Sequence, residues 1–134
     1  MDGGGRTLAQ RRGADAEGLV ATRLAGLGWS IVGRNVRVGR AEIDLVALDP
    51  GPPATLVIVE VRFRSRRDFG LAEETLGPRK RAVLRGALHR LREDGRLPDG
   101  RPLLRLPARF DLIVVEPARA AGAEPRIRHH RHAF

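Results

Sequence analysis

Two apolar, β-branched runs separated by a Pro- and Gly-rich turn occupy residues 42–64 and their immediate surroundings. The first run reads AEIDLVAL, the turn reads DPGPPAT, and the second run reads LVIVEVRFR. The connection is too short to contain a helix. The pattern therefore predicts two neighbouring strands that can pair as a hairpin.

Each predicted strand carries an acid where a buried strand normally carries hydrocarbon. Because side chains alternate between faces, Glu42, Asp44 and Val46 should share one face of the first strand, as Glu60 and Arg62 should on the second. Pairing can then bring Asp44 close to Glu60. Two carboxylates inside a sheet are costly unless they are paired or bound to a cation. The pattern indicates a divalent-metal site with a basic neighbour at Arg62.

Length and composition narrow the class of protein. A chain of 134 residues fits one domain, and the lack of cysteine excludes disulfides, thiolate metal sites and cysteine nucleophiles. No apolar run approaches the roughly 20 residues of a membrane span, and the N-terminus lacks the apolar core of a signal peptide. We expect a cytoplasmic protein without a membrane partner.

The charge is strongly basic and unevenly distributed. The formal net charge is +9, and residues 62–92 contain ten basic residues against three acidic ones. A basic region beside a carboxylate site favours a polyanionic partner, most simply nucleic acid. A solvated surface that keeps a small protein soluble is the alternative, and charge alone does not decide between them.

Hydrophobic periodicity predicts further elements around the central strand pair. Helices are predicted over about residues 7–27 and 78–94, and strands over 29–37 and 110–116, with a possible short strand at the C-terminus. The order is α-β-β-β-α-β, an α/β fold with a mixed sheet flanked by helices. We expect one domain over residues 13–134 after a disordered tail over 1–12. The apolar stripes of the helices comprise Ala16, Val20, Leu24 and Leu27, and Val83, Ala87, Leu88 and Leu91.

Two polar features have simple structural explanations. Glu17 lies at the edge of the first apolar stripe, where an acid near a helix N-terminus is favourable in itself. His129, His130 and His132 resemble a metal-chelating cluster, but Glu124 is the one acid nearby in sequence. A solvated tail is therefore the preferred interpretation of the histidines.

Seven motifs together resemble the PD-(D/E)xK, or restriction-endonuclease-like, nuclease superfamily, and more closely the YraN-like family grouped with it. They are GADAE, GWSIVGRNVR, AEIDLVA, VIVEVRFR, PRKR, RFDLIVV and a terminal AF, which together extend from about Gly13 to Phe134. The resemblance implies a restriction-endonuclease-like fold. It also implies that Asp44 and the tripeptide Glu60-Val61-Arg62 hold Mg²⁺ or Mn²⁺, with the main-chain carbonyl of Val61 as a further ligand.

The resemblance extends to residues around the metal. Glu17 matches the family's helical acid and would bind the ion directly or through water, whereas Glu42 and Lys80 would lie one shell further out. Arg62 departs from the superfamily pattern, which usually has lysine there. Arginine stays protonated, so it can stabilise charge but can hardly act as a base. Lys80 could take the lysine role if its helix start reaches the site. Alternatively, Arg62 and Glu60 form a structural ion pair.

Two functions from different classes follow. The first is a metal-dependent endonuclease acting on DNA, on a structured or damaged intermediate of repair or recombination. The alternative is a catalytically degenerate nucleic-acid-binding module with protein partners in a larger DNA-processing assembly. The sequence does not predict an oligomeric state. The residues expected to contact nucleic acid are Arg64, Arg66, Arg67, Arg79, Lys80 and Arg81.

Overall fold

A computed structural model of the protein describes residues 8–64 and 76–134, with side chains from residue 15 onward. The order α-β-β-β-α-β is confirmed, and a fifth strand follows it. The elements are α1 (Leu8–Gly26), β1 (Ser30–Val38), β2 (Ala41–Asp49), β3 (Thr55–Phe63), α2 (Pro78–Asp94), β4 (Ala108–Glu116) and β5 (Arg126–His130).

The five strands form one mixed sheet in the order β1-β2-β3-β4-β5. β1, β2 and β3 are an antiparallel meander, and β5 pairs antiparallel with β4. β3 and β4 are parallel because the connection through α2 is a crossover. This is the helix-flanked mixed sheet of the restriction-endonuclease-like fold, so the predicted fold class is confirmed.

Each face of the sheet carries one helix and one apolar core. In the α1-side core, Val20 and Leu24 pack with Leu45, Val57 and Ile113. The α2-side core is built on helix residues that recur at spacings of three and four. They are Leu84, Ala87, Leu88 and Leu91, which pack on Ile43, Val46, Leu56 and Ile58. The sheet is therefore buried on both faces at its centre, which explains why polar groups in these strands are conspicuous.

Two details of the sequence-based prediction are wrong. Leu27 follows the end of α1 and is 53% exposed, because Gly28 with φ 89° turns the chain directly after it. Val83 is 43% exposed, since the buried stripe of α2 is centred on Leu84 instead. α1 begins at Leu8, in agreement with the helix predicted over about residues 7–27, and residues 1–7 of the predicted tail lie outside the described part of the chain.

Neither described helix is both long and apolar enough to span a bilayer.

Candidate metal and nucleic-acid site

β2 and β3 separate at Asp44. Their pairing ends at Leu45 and Val59, and beyond that pair the main-chain N–H of Val61 donates to the Asp44 carboxylate Oδ2 at 2.8 Å. The Asp44 side chain thus replaces the main-chain partner that β2 no longer offers. This local departure opens the end of the strand pair around the two acids.

The separation also breaks the alternation of side chains along β2. Ile43 belongs to the α2-side core, Leu45 to the α1-side core, and Val46 to the α2-side core again. Glu42 therefore lies on the opposite face from Val46, and the prediction that they share a face is wrong. The sequence pattern assumed a regular pleat, but β2 is irregular at Asp44.

Asp44 and Glu60 form a pair of adjacent carboxyl groups, in which Glu60 is buried and Asp44 is half-buried. Glu60 is 8% exposed and follows Leu56 and Ile58 on the α2 side of β3. Burial, the hydrogen-bonding contact with Glu60 and the Glu60 charge raise the pKa of Asp44 to about 8, against the lowering effect of the Val61 N–H. Asp44 consequently holds a proton at neutral pH, because two adjacent carboxylates cannot both ionise at low cost.

Lys80 partly compensates this pair from α2. Its Nζ atom lies 3.3 Å from Glu60 Oε2, and the Lys80 side chain is 42% exposed. Within the described atoms Glu60 Oε2 has no hydrogen-bond partner, so the contact is an attraction between charges without hydrogen-bond alignment. Lys80 reaches the site because α2 begins at Pro78, which places the lysine in its first turn.

Glu17 and Glu42 are connected through Asn35 of β1. With its amide nitrogen turned toward the acids, Asn35 donates to Glu17 Oε1 at 2.8 Å and Glu42 Oε1 at 3.2 Å. Glu17 also lies close enough to Asp44 for its charge to raise the Asp44 pKa further. Asn35 was not identified from the sequence, although a polar Asn inside a predicted strand is an available signal.

The donor groups at this position fit a hard divalent cation. Among residues 8–64 and 76–134, no three acidic or histidine side chains form a metal-binding cluster. Asp44 and Glu60 nevertheless provide two oxygen donors, and Mg²⁺ is commonly held by one or two carboxylates with water filling the other positions. The raised pKa of Asp44, and a Glu60 Oε2 atom whose Lys80 contact is not a hydrogen bond, indicate that the pair is short of positive charge. Mg²⁺ or Mn²⁺ would supply it.

The structure describes some, but not all, of the basic residues near the site and in the predicted nucleic-acid contact. Arg62 is half-buried two residues beyond Glu60 on β3, and Arg64 follows the strand with its N–H bonded to the Val115 carbonyl at 2.9 Å. Arg79 is exposed, whereas Arg81 is held by the Leu76 carbonyl at 2.8 Å. Arg66 and Arg67 lie outside the described residues.

A second buried acid, Asp111 on β4, was missed by the sequence analysis. It is fully buried, and Arg109 binds both of its oxygens at 2.8 and 3.0 Å. Nε2 of His129 lies 2.7 Å from Asp111 Oδ2, and the main-chain N–H of His132 donates to Oδ1 at 3.2 Å. Burial would raise the Asp111 pKa, but these hydrogen bonds and the Arg109 charge hold it below its ordinary value.

The structure corrects the prediction made for the C-terminal histidines. His129 lies in β5 and its side chain is 17% exposed, so the prediction of a solvated tail is wrong for this residue. The acid partner is Asp111, eighteen residues away in sequence. An acid inside the apolar run of β4 was the available signal, as it was for Asp44 and Glu60.

Fold and site together define a restriction-endonuclease-like α/β protein with paired carboxylates at one end of its sheet. The chain belongs to the uncharacterised protein family UPF0102, the YraN family, whose profile matches residues 16–115. The predicted family resemblance is thereby confirmed.

Relatives in this family match most of the chain. A UPF0102 protein of Deinococcus radiodurans is 42% identical over 107 residues, covering 78% of this chain and 80% of its own length. One from Anaeromyxobacter dehalogenans is 40% identical over 134 residues, covering 99% and 88% respectively. One from Cupriavidus taiwanensis is 42% identical over 111 residues, covering 82% and 77%.

Proposed function

We propose that this protein is a metal-dependent endonuclease that acts on DNA, with structured or damaged DNA as its substrate. The observation that carries the proposal is the Asp44–Glu60 pair, in which the pKa of Asp44 is raised and one half-exposed lysine contacts the buried Glu60. A protein gains nothing in stability from such a pair. Its retention is better explained by a cation that binds there during function.

Asp44 and Glu60 would hold Mg²⁺ or Mn²⁺, with the Val61 carbonyl as a further donor and Glu17 binding directly or through water. When bound, such an ion polarises a scissile phosphate and lowers the pKa of an attacking water. With its pKa raised to about 8, Asp44 must first lose its proton to bind the ion. Metal affinity should therefore rise with pH, since the ligand is the ionised carboxylate.

Lys80 and Arg62 would together replace the lysine that the superfamily usually has at the position of Arg62. The Lys80 ammonium already lies beside Glu60, where it can stabilise negative charge on a phosphate bound at the pair. As an arginine, Arg62 can bind and orient phosphate oxygens but can hardly act as a base. Arg64, Arg79 and Arg81 would add contacts to neighbouring phosphates, together with Arg66 and Arg67.

A catalytically degenerate nucleic-acid-binding module within a DNA-processing assembly is the alternative function. The observation favouring it is the Lys80–Glu60 contact, because a lysine of the protein already supplies charge where a metal would. In that case binding to DNA persists without turnover, and Arg62 in place of lysine reflects the loss of chemistry. Metal binding separates the two functions more directly than DNA binding does.

Single-turnover cleavage with Mn²⁺, on branched, nicked, single-stranded and duplex DNAs, tests the proposal. We expect cleavage of at least one substrate, its loss in Glu60→Gln with DNA binding retained, and a roughly 10–100-fold loss in Glu17→Gln if Glu17 acts through water. Asp94→Asn, which changes an exposed carboxylate on α2, is the matched control. Binding of every substrate without cleavage by the wild type or by Arg62→Lys would leave the binding module instead.

Metal titration followed by thermal unfolding is an independent measurement. Mg²⁺ or Mn²⁺ should raise the Tm by mass action, by the equivalent of about 2.7 kcal/mol at a hundred times Kd. Asp44→Asn should remove this gain, whereas Asp94→Asn should keep it. A gain that survives Asp44→Asn would place the metal elsewhere.

A further inference from the structure

An apolar groove lies between the end of α2 and the segment 103–107 that leads into β4. It has a volume of about 400 Å³ and is lined by Arg92, Gly95 and the segment 103–107. Leu104 is 56% exposed at this groove, the most exposed of the large apolar side chains in the described part of the chain. An exposed leucine beside an apolar groove marks a surface that can bind another apolar group.

The main chain at the groove is held at its ends and open in its middle. The Leu103 N–H donates to the Gly95 carbonyl at 3.0 Å, and the Pro107 carbonyl accepts from Leu56 N–H at 2.8 Å. Between these anchors, no hydrogen bond recorded for the described residues uses the main chain of Leu104 or Arg105. A fixed segment with free N–H and C=O groups can add main-chain hydrogen bonds to an extended peptide.

The charge around the groove is positive. Its lining includes Arg92 and Arg105 and contains no acid. Arg92 donates to the Leu106 carbonyl at 2.8 Å, which fixes one guanidinium at the groove wall. Within residues 8–64 and 76–134 neither arginine pairs with a carboxylate. The Arg105 guanidinium, and the N–H groups of Arg92 that do not bind Leu106, are therefore available to an acidic partner.

The groove is separate from the Asp44–Glu60 pair. Lys80, which contacts Glu60, lies in the first turn of α2, whereas Arg92 lies in the last. At a rise of about 1.5 Å per residue, the two positions are roughly 18 Å apart along the helix axis. A ligand in the groove would leave the carboxylate pair accessible.

We propose that this groove binds an extended, acidic segment of a partner protein that carries bulky apolar side chains. Leu104 and the groove would bury the apolar side chains, Arg92 and Arg105 would pair with the acids, and the open main chain would hydrogen-bond to the peptide backbone. Free phosphate or duplex DNA would meet the arginines but would leave the apolar groove unused. The groove thus gives the protein a docking point for a protein partner at a distance from its proposed chemistry.

Fluorescence anisotropy with a short labelled peptide in which Leu and Phe alternate with Asp and Glu tests the inference. We expect saturable binding that weakens about tenfold or more in Leu104→Asp and in Arg105→Glu. Leu27→Asp and Arg40→Glu are the matched controls, since both change exposed residues outside the groove and should bind as the wild type does. A peptide with Ser in place of Leu and Phe, and one with Lys in place of the acids, should bind at least about tenfold more weakly.

Several results would overturn the inference. They are no binding of the acidic peptide, equal binding of the Lys or Ser peptides, and binding that Leu104→Asp leaves unchanged. Sedimentation at increasing concentration provides the check for another occupant: a dimer that dissociates in Leu104→Asp would make the groove an interface between two copies of this chain. Peptide binding should persist in Asp44→Asn, so failure of the proposed nuclease activity would not affect this result.

Discussion

Two acidic clusters occur in the same sheet, on neighbouring stretches of β3 and β4, and their carboxyl groups differ in charge. Asp111 is fully buried and is bound by Arg109, His129 and a main-chain N–H, so its pKa falls. Asp44 is less buried, yet its pKa rises to about 8 because burial and Glu60 outweigh the single N–H that it accepts. Burial alone does not determine the charge of a carboxyl group; the donors and cations around it do.

The difference separates a structural cluster from a candidate functional one. Arg109 also binds Asp49 at 3.1 Å and lies 5.4 Å from the Trp29 ring, so the Asp111 cluster is closed by protein groups on several sides. In the Asp44–Glu60 pair, Lys80 Nζ lies 3.3 Å from Glu60 Oε2. That buried oxygen has no hydrogen-bond partner among the described atoms. A cluster that is short of positive charge is the one expected to bind an external cation.

The largest loss of stability should follow from removing Arg109 from the Asp111 cluster. Arg109→Met removes the guanidinium that neutralises Asp111 and Asp49 while keeping much of the side-chain volume. Leaving a buried charge uncompensated should lower the free energy of unfolding by about 3–5 kcal/mol. Urea denaturation at neutral pH measures it. A loss no larger than that of an exposed arginine such as Arg40 would contradict a structural role for the cluster.

The second effect is a pH dependence of the folding stability that arises from Asp44 in the Asp44–Glu60 pair. The folded-state pKa of Asp44, about 8, exceeds its ordinary value of 3.8, so the folded state keeps a proton that the unfolded state releases. Its contribution to stability therefore falls as pH rises from about 4 to 8. Asp44→Asn should flatten this fall and, at pH 8 without metal, raise the free energy of unfolding by about 1–2 kcal/mol.

Urea denaturation of the wild type and Asp44→Asn across this pH range is the measurement. Asp111 has the opposite sign: its pKa is lowered, so its contribution is present above its ordinary pKa and is lost as the solution becomes more acidic. The two clusters can thus be distinguished by the direction of the pH effect. Parallel pH profiles for the wild type and Asp44→Asn would refute the raised pKa of Asp44.

Most of the fold followed from the sequence because four strands and two helices have clear apolar periodicity. β5 was only a possibility, since RIRHH contains one apolar residue and its strand is formed by pairing with the edge of β4. Asp44 and Glu60 were found because acids interrupt apolar runs. The break in β2 at Asp44 could not be predicted, because it depends on how β3 meets β2 in three dimensions.

The second cluster shows the limit of the same reasoning. Asp111 interrupts an apolar run as Asp44 does, but its partner His129 comes from β5, and the Arg109 that binds it also binds Asp49 of β2. Whether a buried acid is neutralised or left short of charge is decided by such distant partners. Sequence periodicity can therefore find buried acids, while their roles need the tertiary structure.

A smaller effect should come from removing Lys80, the cation beside the Asp44–Glu60 pair. Lys80→Met removes a half-exposed ammonium beside Glu60, and we expect a loss of stability of about 1 kcal/mol or less, because partial exposure screens the pair. Cleavage, if present, should fall far more than stability. Lys80→Arg keeps the charge and is the control. Equal losses of stability for Lys80→Met and Arg109→Met would remove the distinction between the clusters.

The smallest loss of stability is expected from Arg131, at the exposed edge of the Asp111 cluster. Arg131 Nη1 lies 4.0 Å from Asp49 Oδ2, its guanidinium is 5.5 Å from the centre of the Trp29 ring, and its side chain is 54% exposed. Because water screens both contacts and Arg109 already compensates Asp49, Arg131→Ala should lower the free energy of unfolding by only about 0.5 kcal/mol. The measurement is urea denaturation beside Arg109→Met. A loss of several kcal/mol would mean that Arg131 neutralises Asp49 itself, and that the closed cluster depends on an exposed residue as much as on a buried one.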